Sequence, residues 1–175
     1  RDALDRRSKV LMAIPSVVIG ILGGMAASGM TDVFLAWWHA TPFDWADPYF
    51  GLDAGYYVFT QPWLQFVVGF LLFAMIAGAF AALAVHFMTG ALNSSALRGR
   101  GNAAAGVGAQ RHLSILLGLI MLLIAANTML DRFGLSVTPN KNFTGLGYTD
   151  FTTRVPVAAI IAAICVIVAI LAFVN

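Results

Sequence analysis

The residues TPFDWADPYFGLDAGYYVFTQPW, at 41–63, stand between two long apolar runs, and their reading decides the fold. They carry Asp44, Asp47 and Asp53 but no Lys or Arg, and Trp45, Tyr49, Tyr56, Tyr57 and Trp63 crowd around those acids. An aromatic ring with a polar edge suits the boundary between lipid and water. The stretch therefore reads as a re-entrant cap over the ends of membrane helices.

The composition agrees. Of the 175 residues 60% are hydrophobic and only 10% charged, whereas about a quarter of a soluble domain is charged. An all-α, polytopic helical membrane protein is expected. A net charge of +2 gives no argument for nucleic acid as a partner. All eight acids are aspartates, a residue suited to caps and turns. Cys165 is the only cysteine, so it forms no internal disulfide, and in its apolar run it reads as a small packing residue.

Outward from the cap, about four transmembrane helices are expected, at 10–30, 62–88, 112–130 and 156–175. The first is near the roughly 20 residues that a bilayer core requires. Pro15 lies in the first turns of the first span, Pro62 reads as the first-turn residue of the second, and Pro156 opens the fourth. Residues 31–61 and 131–155 are then structured outer loops. Residues 89–111, rich in Gly, Ala, Asn and Ser, read as a flexible inner linker. Gly20, Gly24 and Ser28 recur at four-residue spacing, as do Ala74, Gly78 and Ala82, which marks two faces where helices can approach closely. Ala158, Ala159, Ala162 and Ala163 give the last span a small face.

Orientation follows from the basic residues, which are retained on the cytoplasmic side. Arg1, Arg6, Arg7, Lys9, Arg98, Arg100 and Arg111 fall on one side, and only Arg132, Lys141 and Arg154 on the other. The Arg1 side is expected to be cytoplasmic. All Trp and Tyr residues then gather at the outer side, as though the two outer loops folded together. The basic start and the still-apolar end lead to the expectation that this is a piece of a longer chain.

Several stretches carry a family resemblance. DPYFGLDAGYYVFTQPWL at 47–64 is similar to the pattern DPxFGxDxxFYxFxLPFL of a multi-spanning bacterial membrane family, uncharacterised protein family 0182, of actinobacteria and cyanobacteria. RHLSILLGL at 111–119, LDR at 130–132, GLGYTD at 145–150 and Pro156 follow in the family's order. Gln61 departs from the pattern, where an apolar residue is usual; so do Ala54, Gly55 and Tyr56, and Ala126 with Asn127. The resemblance implies an architecture, several helices followed by a large extracytoplasmic domain, and carries over no catalytic residue.

Candidate chemistry is sparse. Asp47 and Asp53 offer hard oxygen ligands on one short loop, and Asp150 could join them if the outer loops meet, so a Ca²⁺ or Mg²⁺ site is conceivable. The pattern lacks an EF-hand's spacing, and Asp before Pro is a turn or cap signal. The preferred reading is structural, with Asp47, Pro48, Gly51, Asp53, Tyr57, Pro62, Tyr148 and Asp150 building the cap and Asp150 capping the last span. His86 and His112 fall on adjacent antiparallel helices at the inner edge, where interfacial histidines with water in reach are commoner than a proton or metal site. Asp131 beside Arg132 reads as a local charge pair, and Asn127 as an interhelical donor. No catalytic constellation and no cofactor are expected. Two functions from different classes fit. One is a non-enzymatic module of the bacterial envelope that anchors and orients an outer domain, with membrane lipids, its own missing helices and outer domain, and a homo-oligomer or envelope complex as partners. The other is a transporter or a lipid or solute conduit.

Overall fold

The computed structural model describes residues 13, 17–25, 27–88, 103–139 and 145–174. The chain divides into two units, Arg1–Thr41 and Pro42–Asn175. In the first, residues 17–25 are helical, and a short helix α1 follows at Thr31–Trp38. Phe34, Trp37 and Trp38 form an aromatic cluster on α1, with ring centroids 5.9 to 6.1 Å apart.

The second unit holds three long helices, α2 at Gln61–Met88, α3 at Ala103–Gly134 and α4 at Val155–Val174. A π-helical turn, Tyr56–Thr60, leads into α2, and another, Asp150–Arg154, leads into α4. A 3-10 turn, Leu135–Val137, ends α3. The apolar stretches so formed, Tyr56–Met88, Gly106–Val137 and Asp150–Val174, are long and apolar enough to cross a membrane. Even the shortest, of 25 residues, reaches roughly 37 Å at 1.5 Å per residue, against a hydrocarbon core of about 30 Å. The count among the described residues is thus three rather than the four expected, because the 10–30 run is described only in pieces.

Two expected boundaries move, for identifiable reasons. Pro62 and Pro156 do not open their helices. Helical backbone begins at Ala54 and Tyr148, and each proline lies inside, two residues beyond a π turn. In those turns the Gln61 amide donates to the Tyr56 carbonyl and the Val155 amide to that of Asp150, each five residues back. A proline ring crowds the carbonyl four residues before it and offers no N–H. A widened turn just ahead relieves that conflict and lets the helix pass through the proline. The expected 89–111 linker is already helical from Ala103, and its residues 89–102 lie outside the described residues. Alanine is the strongest helix former, and a helix emerging from lipid has no need of an apolar period.

The helix α3 lies between α2 and α4 and runs antiparallel to both. Gln61 meets Leu130 and His86 meets His112 on one side; on the other, Phe173 lies over Gly118 and Ala162 packs by Ala125. Lipid tails are as apolar as leucine, so packing here comes from close approach rather than from escape from water. The α3–α4 seam fits that rule. Ala125, Ala162 and Cys165 form its buried centre, with Met121, Ile124 and Met129 against it, and Ala169 is buried beyond. Cys165 is the small packing residue its surroundings imply. Overfilling this seam should cost stability. Ala162→Leu is expected to lower unfolding free energy in mixed micelles by about 1–2 kcal/mol, while the same change at exposed Ala163 leaves it within error.

The small-residue faces named from the sequence are largely exposed among the described residues. Among the described residues, nothing outside each glycine's chain neighbours and its own helix backbone lies within 4 Å of where a Cβ would stand on Gly20, Gly24 or Gly78. Ser28 and Ala74 are exposed and Ala82 is half-buried.

Candidate functional site: the Asp47 cap

The cap is built from a single turn of chain. Asp47 opens it, Pro48 takes the first helical position, and Gly51, with φ +66°, closes it. The Phe50 amide donates to Asp47 Oδ2 at 2.8 Å and the Gly51 amide to the Asp47 carbonyl at 2.8 Å. This is an N-cap, an N1 proline and a left-handed C′ glycine compressed into one turn. The flanking backbone pairs behind it: an antiparallel bridge joins Ala46 and Asp53, and the Ala54 amide donates to the Trp45 carbonyl at 2.9 Å.

Asp47 does more than cap. The residue is 6% exposed, and the same Oδ2 accepts the Tyr57 hydroxyl at 3.2 Å and the Ser136 hydroxyl at 3.3 Å. Tyr57, in the turn leading into α2, is itself buried, and Ser136 stands just past the end of α3. One carboxylate therefore ties the cap turn to the ends of two long helices. A buried carboxylate is tolerated only when hydrogen bonds replace its water, and three donors meet that condition.

The 145–151 segment docks on the same turn. The Tyr49 hydroxyl donates to the Leu146 carbonyl at 3.3 Å, and the Tyr49 and Phe151 rings lie 5.9 Å apart. Leu146 is buried beneath. Asp150 is engaged locally: Oδ2 accepts the Gly147 amide at 3.2 Å, and Oδ1 pairs with Arg154 at 3.2 Å. That is the reach-back half of a capping box at the start of the last helix. Tyr148 beside it is 85% exposed.

Asp53 serves the loop entry. Its Oδ1 accepts the Phe43 amide at 3.1 Å and the Gly55 amide at 2.7 Å. The Phe43 amide, with smaller help from those of Gly55, Trp45 and Asp44, holds this carboxyl below the ordinary 3.8. A carboxyl lowered on folding stabilises above its unfolded pKa, and the contribution disappears as pH falls through the folded value. Protection of the Phe43 and Gly55 amides, relative to their intrinsic exchange rates, is thus expected to hold from neutral pH down to about 4 and to fall below that; in Asp53→Asn it is low throughout.

Beside the cap, polar side chains join α2 to α3. Gln61, 4% exposed, donates through Nε2 to the Leu130 carbonyl at 3.0 Å. Gln65 Nε2 donates to Asp131 Oδ1 at 3.3 Å, and Asn127 Nδ2 to Asp131 Oδ2 at 2.9 Å. Two expectations change. Asn127 bonds within its own helix, four residues on, so the interhelical donors are the glutamines. Asp131 turns to α2 rather than to Arg132, whose guanidinium lies over the Phe50 and Phe133 rings, 5.4 and 5.8 Å from their centroids. Arg132 Nε is buried without a hydrogen-bond partner among the described residues, and the two ring faces supply its electrostatic compensation.

Chemically, the arrangement binds the chain to itself. Asp47, Asp53 and Asp150 each accept from their own set of donors. Among the described residues no group of three or more His, Cys, Asp and Glu is placed to hold a metal ion. Ser136, Gln65 and Phe133 went unnoticed in the sequence. Ser136 sits 89 residues from Asp47, and a serine in a turn-rich stretch has no signature that points to so distant an acceptor.

The whole chain, residues 1–175, matches the profile of the Uncharacterised protein family (UPF0182). A UPF0182 protein of Kineococcus radiotolerans is 36% identical over 174 residues, 98% of this chain and 17% of that relative. One of Streptomyces coelicolor is 37% identical over 163 residues, 90% of this chain and 16% of the relative. One of a Nocardioides species is 34% identical over 175 residues, all of this chain and 17% of the relative. The chain thus spans about a sixth of the length of the curated relatives it matches. No solved structure matches it. From the cap motif to the last helix, the chain belongs to the Uncharacterised protein family UPF0182.

Proposed function

We propose that this chain is a membrane-embedded module of a bacterial cell-envelope protein, and that it anchors and orients an extracytoplasmic domain. The observation that carries the reading is Asp47. A buried carboxylate that fastens an outer turn to the ends of two long helices makes a stiff platform out of what would otherwise be separate loops. Docking of Tyr49 on the 145–151 segment extends that platform to the start of α4. The long remainder of the relatives supplies a domain for it to carry.

In this proposal the cap faces outward in the cytoplasmic membrane, with the 31–61 and 131–155 segments extracytoplasmic and 89–111 cytoplasmic. The asymmetry of Lys and Arg supports that direction. Lipid covers the outward faces of α2 and α4, where Phe73, Phe80, Ile160, Ile164 and Ile167 are exposed. The protein's further helices, its outer domain, a second copy or another envelope protein take the remaining surface. A solute conduit is less well supported, because residues 66–85 of α2 and 115–126 of α3 contain no Asn, Gln, Ser, Thr, His or charged residue. The polar contacts between those helices gather at their two ends.

The test is topology in intact cells. A full-length protein with its other cysteines replaced is given a single cysteine at Tyr148 or at Arg111, both exposed. A membrane-impermeant maleimide is expected to label Tyr148→Cys directly and Arg111→Cys only after permeabilisation. The reverse pattern would put the cap on the cytoplasmic side and end the proposal.

A further inference from the structure

The end of the bundle away from the cap carries a second polar contact. His86 lies near the end of α2 and His112 in the facing part of α3. Nε2 of His86 is 3.2 Å from Nδ1 of His112. Their rings stand nearly perpendicular, at 81°, with centroids 5.5 Å apart. His112 is exposed and His86 half-buried, so the pair is reachable from its open side.

We propose that His86 and His112 form a two-histidine site for a borderline divalent transition metal, with zinc as the ion to test. Imidazole nitrogens bind zinc at about 2.0–2.1 Å, which places two neighbouring ligands of a tetrahedral ion roughly 3.3 Å apart. The observed separation is close to that bite. In the hydrogen-bonded pair one facing nitrogen carries the proton. Ligation requires both facing nitrogens, Nε2 of His86 and Nδ1 of His112, to be unprotonated. The proton between the two rings leaves that position as the ion enters, to the other nitrogen of its own ring or to solvent.

The ligand set selects the metal. Two neutral nitrogens favour zinc, copper or nickel over calcium or magnesium, which take oxygen ligands. Water completes the shell, which makes the site weak and exchangeable rather than a closed structural one. Arg111, one residue before His112, adds a repulsive charge but is set about 100° around the helix. The consequence is mechanical. An ion here joins α2 to α3 at the end opposite Asp47, so that the two helices are fastened at both ends. This inference does not depend on what the cap carries.

Zinc titration of the full-length protein in lipid nanodiscs, followed by calorimetry and by bound metal per chain, tests the site. Wild type is expected to bind one more equivalent than His86→Ala or His112→Ala, and magnesium is expected not to compete. His112→Gln keeps a polar side chain beside His86. With an elution volume like that of wild type, its loss of the same equivalent separates ligation from misfolding. His39→Ala should leave the count unchanged, since that ring is engaged with the Leu35 carbonyl on α1. Equal zinc stoichiometry and affinity in wild type and His112→Gln would overturn the proposal. So would loss of the equivalent in His39→Ala but not in the His86 or His112 variants.

Discussion

Asp47→Ala is expected to lower the unfolding free energy of the protein in mixed micelles by about 3–5 kcal/mol, a larger change than any other single substitution considered for this chain. The truncation removes the acceptor of three donors at once, the Phe50 amide and the Tyr57 and Ser136 hydroxyls. Hydrogen bonds to a charged group contribute about 1.5–3 kcal/mol each, and a buried donor left without a partner costs about 1–3 kcal/mol. The terms do not add, because the three donors share one oxygen. Single-donor variants should therefore be milder: about 1 kcal/mol for Ser136→Ala, somewhat more for Tyr57→Phe. Asp47→Asn should fall between, since its amide offers one acceptor oxygen and sets an N–H₂ group in the same pocket. Hydrogen exchange gives the spatial check. In Asp47→Ala, protection should collapse at Phe50 and Gly51 and weaken through the Leu135–Val137 turn, while the middle of α4 is unchanged. An Asp47→Ala protein within 0.5 kcal/mol of wild type would mean that the carboxylate does not hold the cap together.

Much of this arrangement could be read before any coordinates, and the limits of that reading have physical causes. The apolar runs of α2, α3 and α4 are dictated by composition, because an element that must satisfy its own backbone in lipid has to be helical. The turn at Asp47 was legible because Asp-Pro and a following Gly each constrain one backbone position. The helical turns that precede α2 and α4 are not legible in the sequence because proline is usually a boundary, and the π turns at Tyr56–Thr60 and Asp150–Arg154 let it sit inside. Gln61 stood out as a polar residue in an apolar place, yet its acceptor could not be named. A main-chain carbonyl such as that of Leu130 has no signature in sequence. Arg132 was assigned to the nearest acid, Asp131, but adjacent residues on a helix point about 100° apart, and Gln65 claims the acid instead.

The same crowded end of α3 supplies the second large effect. Gly134→Ala should destabilise by about 2–3 kcal/mol, although helix propensity alone favours alanine there by about 1 kcal/mol. Gly134 has φ −59°, an ordinary helical value, so its backbone does not require glycine. Space does: a Cβ would stand 2.7 Å from Gln61 Nε2 and 3.8 Å from its Cδ. Gln61 has almost no exposed surface to retreat into, so it must give up the Leu130 carbonyl and leave a buried amide unpaired. The mechanism has a signature that general damage to the helix lacks. In a Gln61→Ala background the obstacle is gone, and Gly134→Ala should become neutral or stabilising through its propensity. The double-mutant cycle should then show a coupling of about 2 kcal/mol or more between two residues 73 positions apart in sequence. Equal cost in both backgrounds would place the penalty in α3 itself and remove Gln61 from the account.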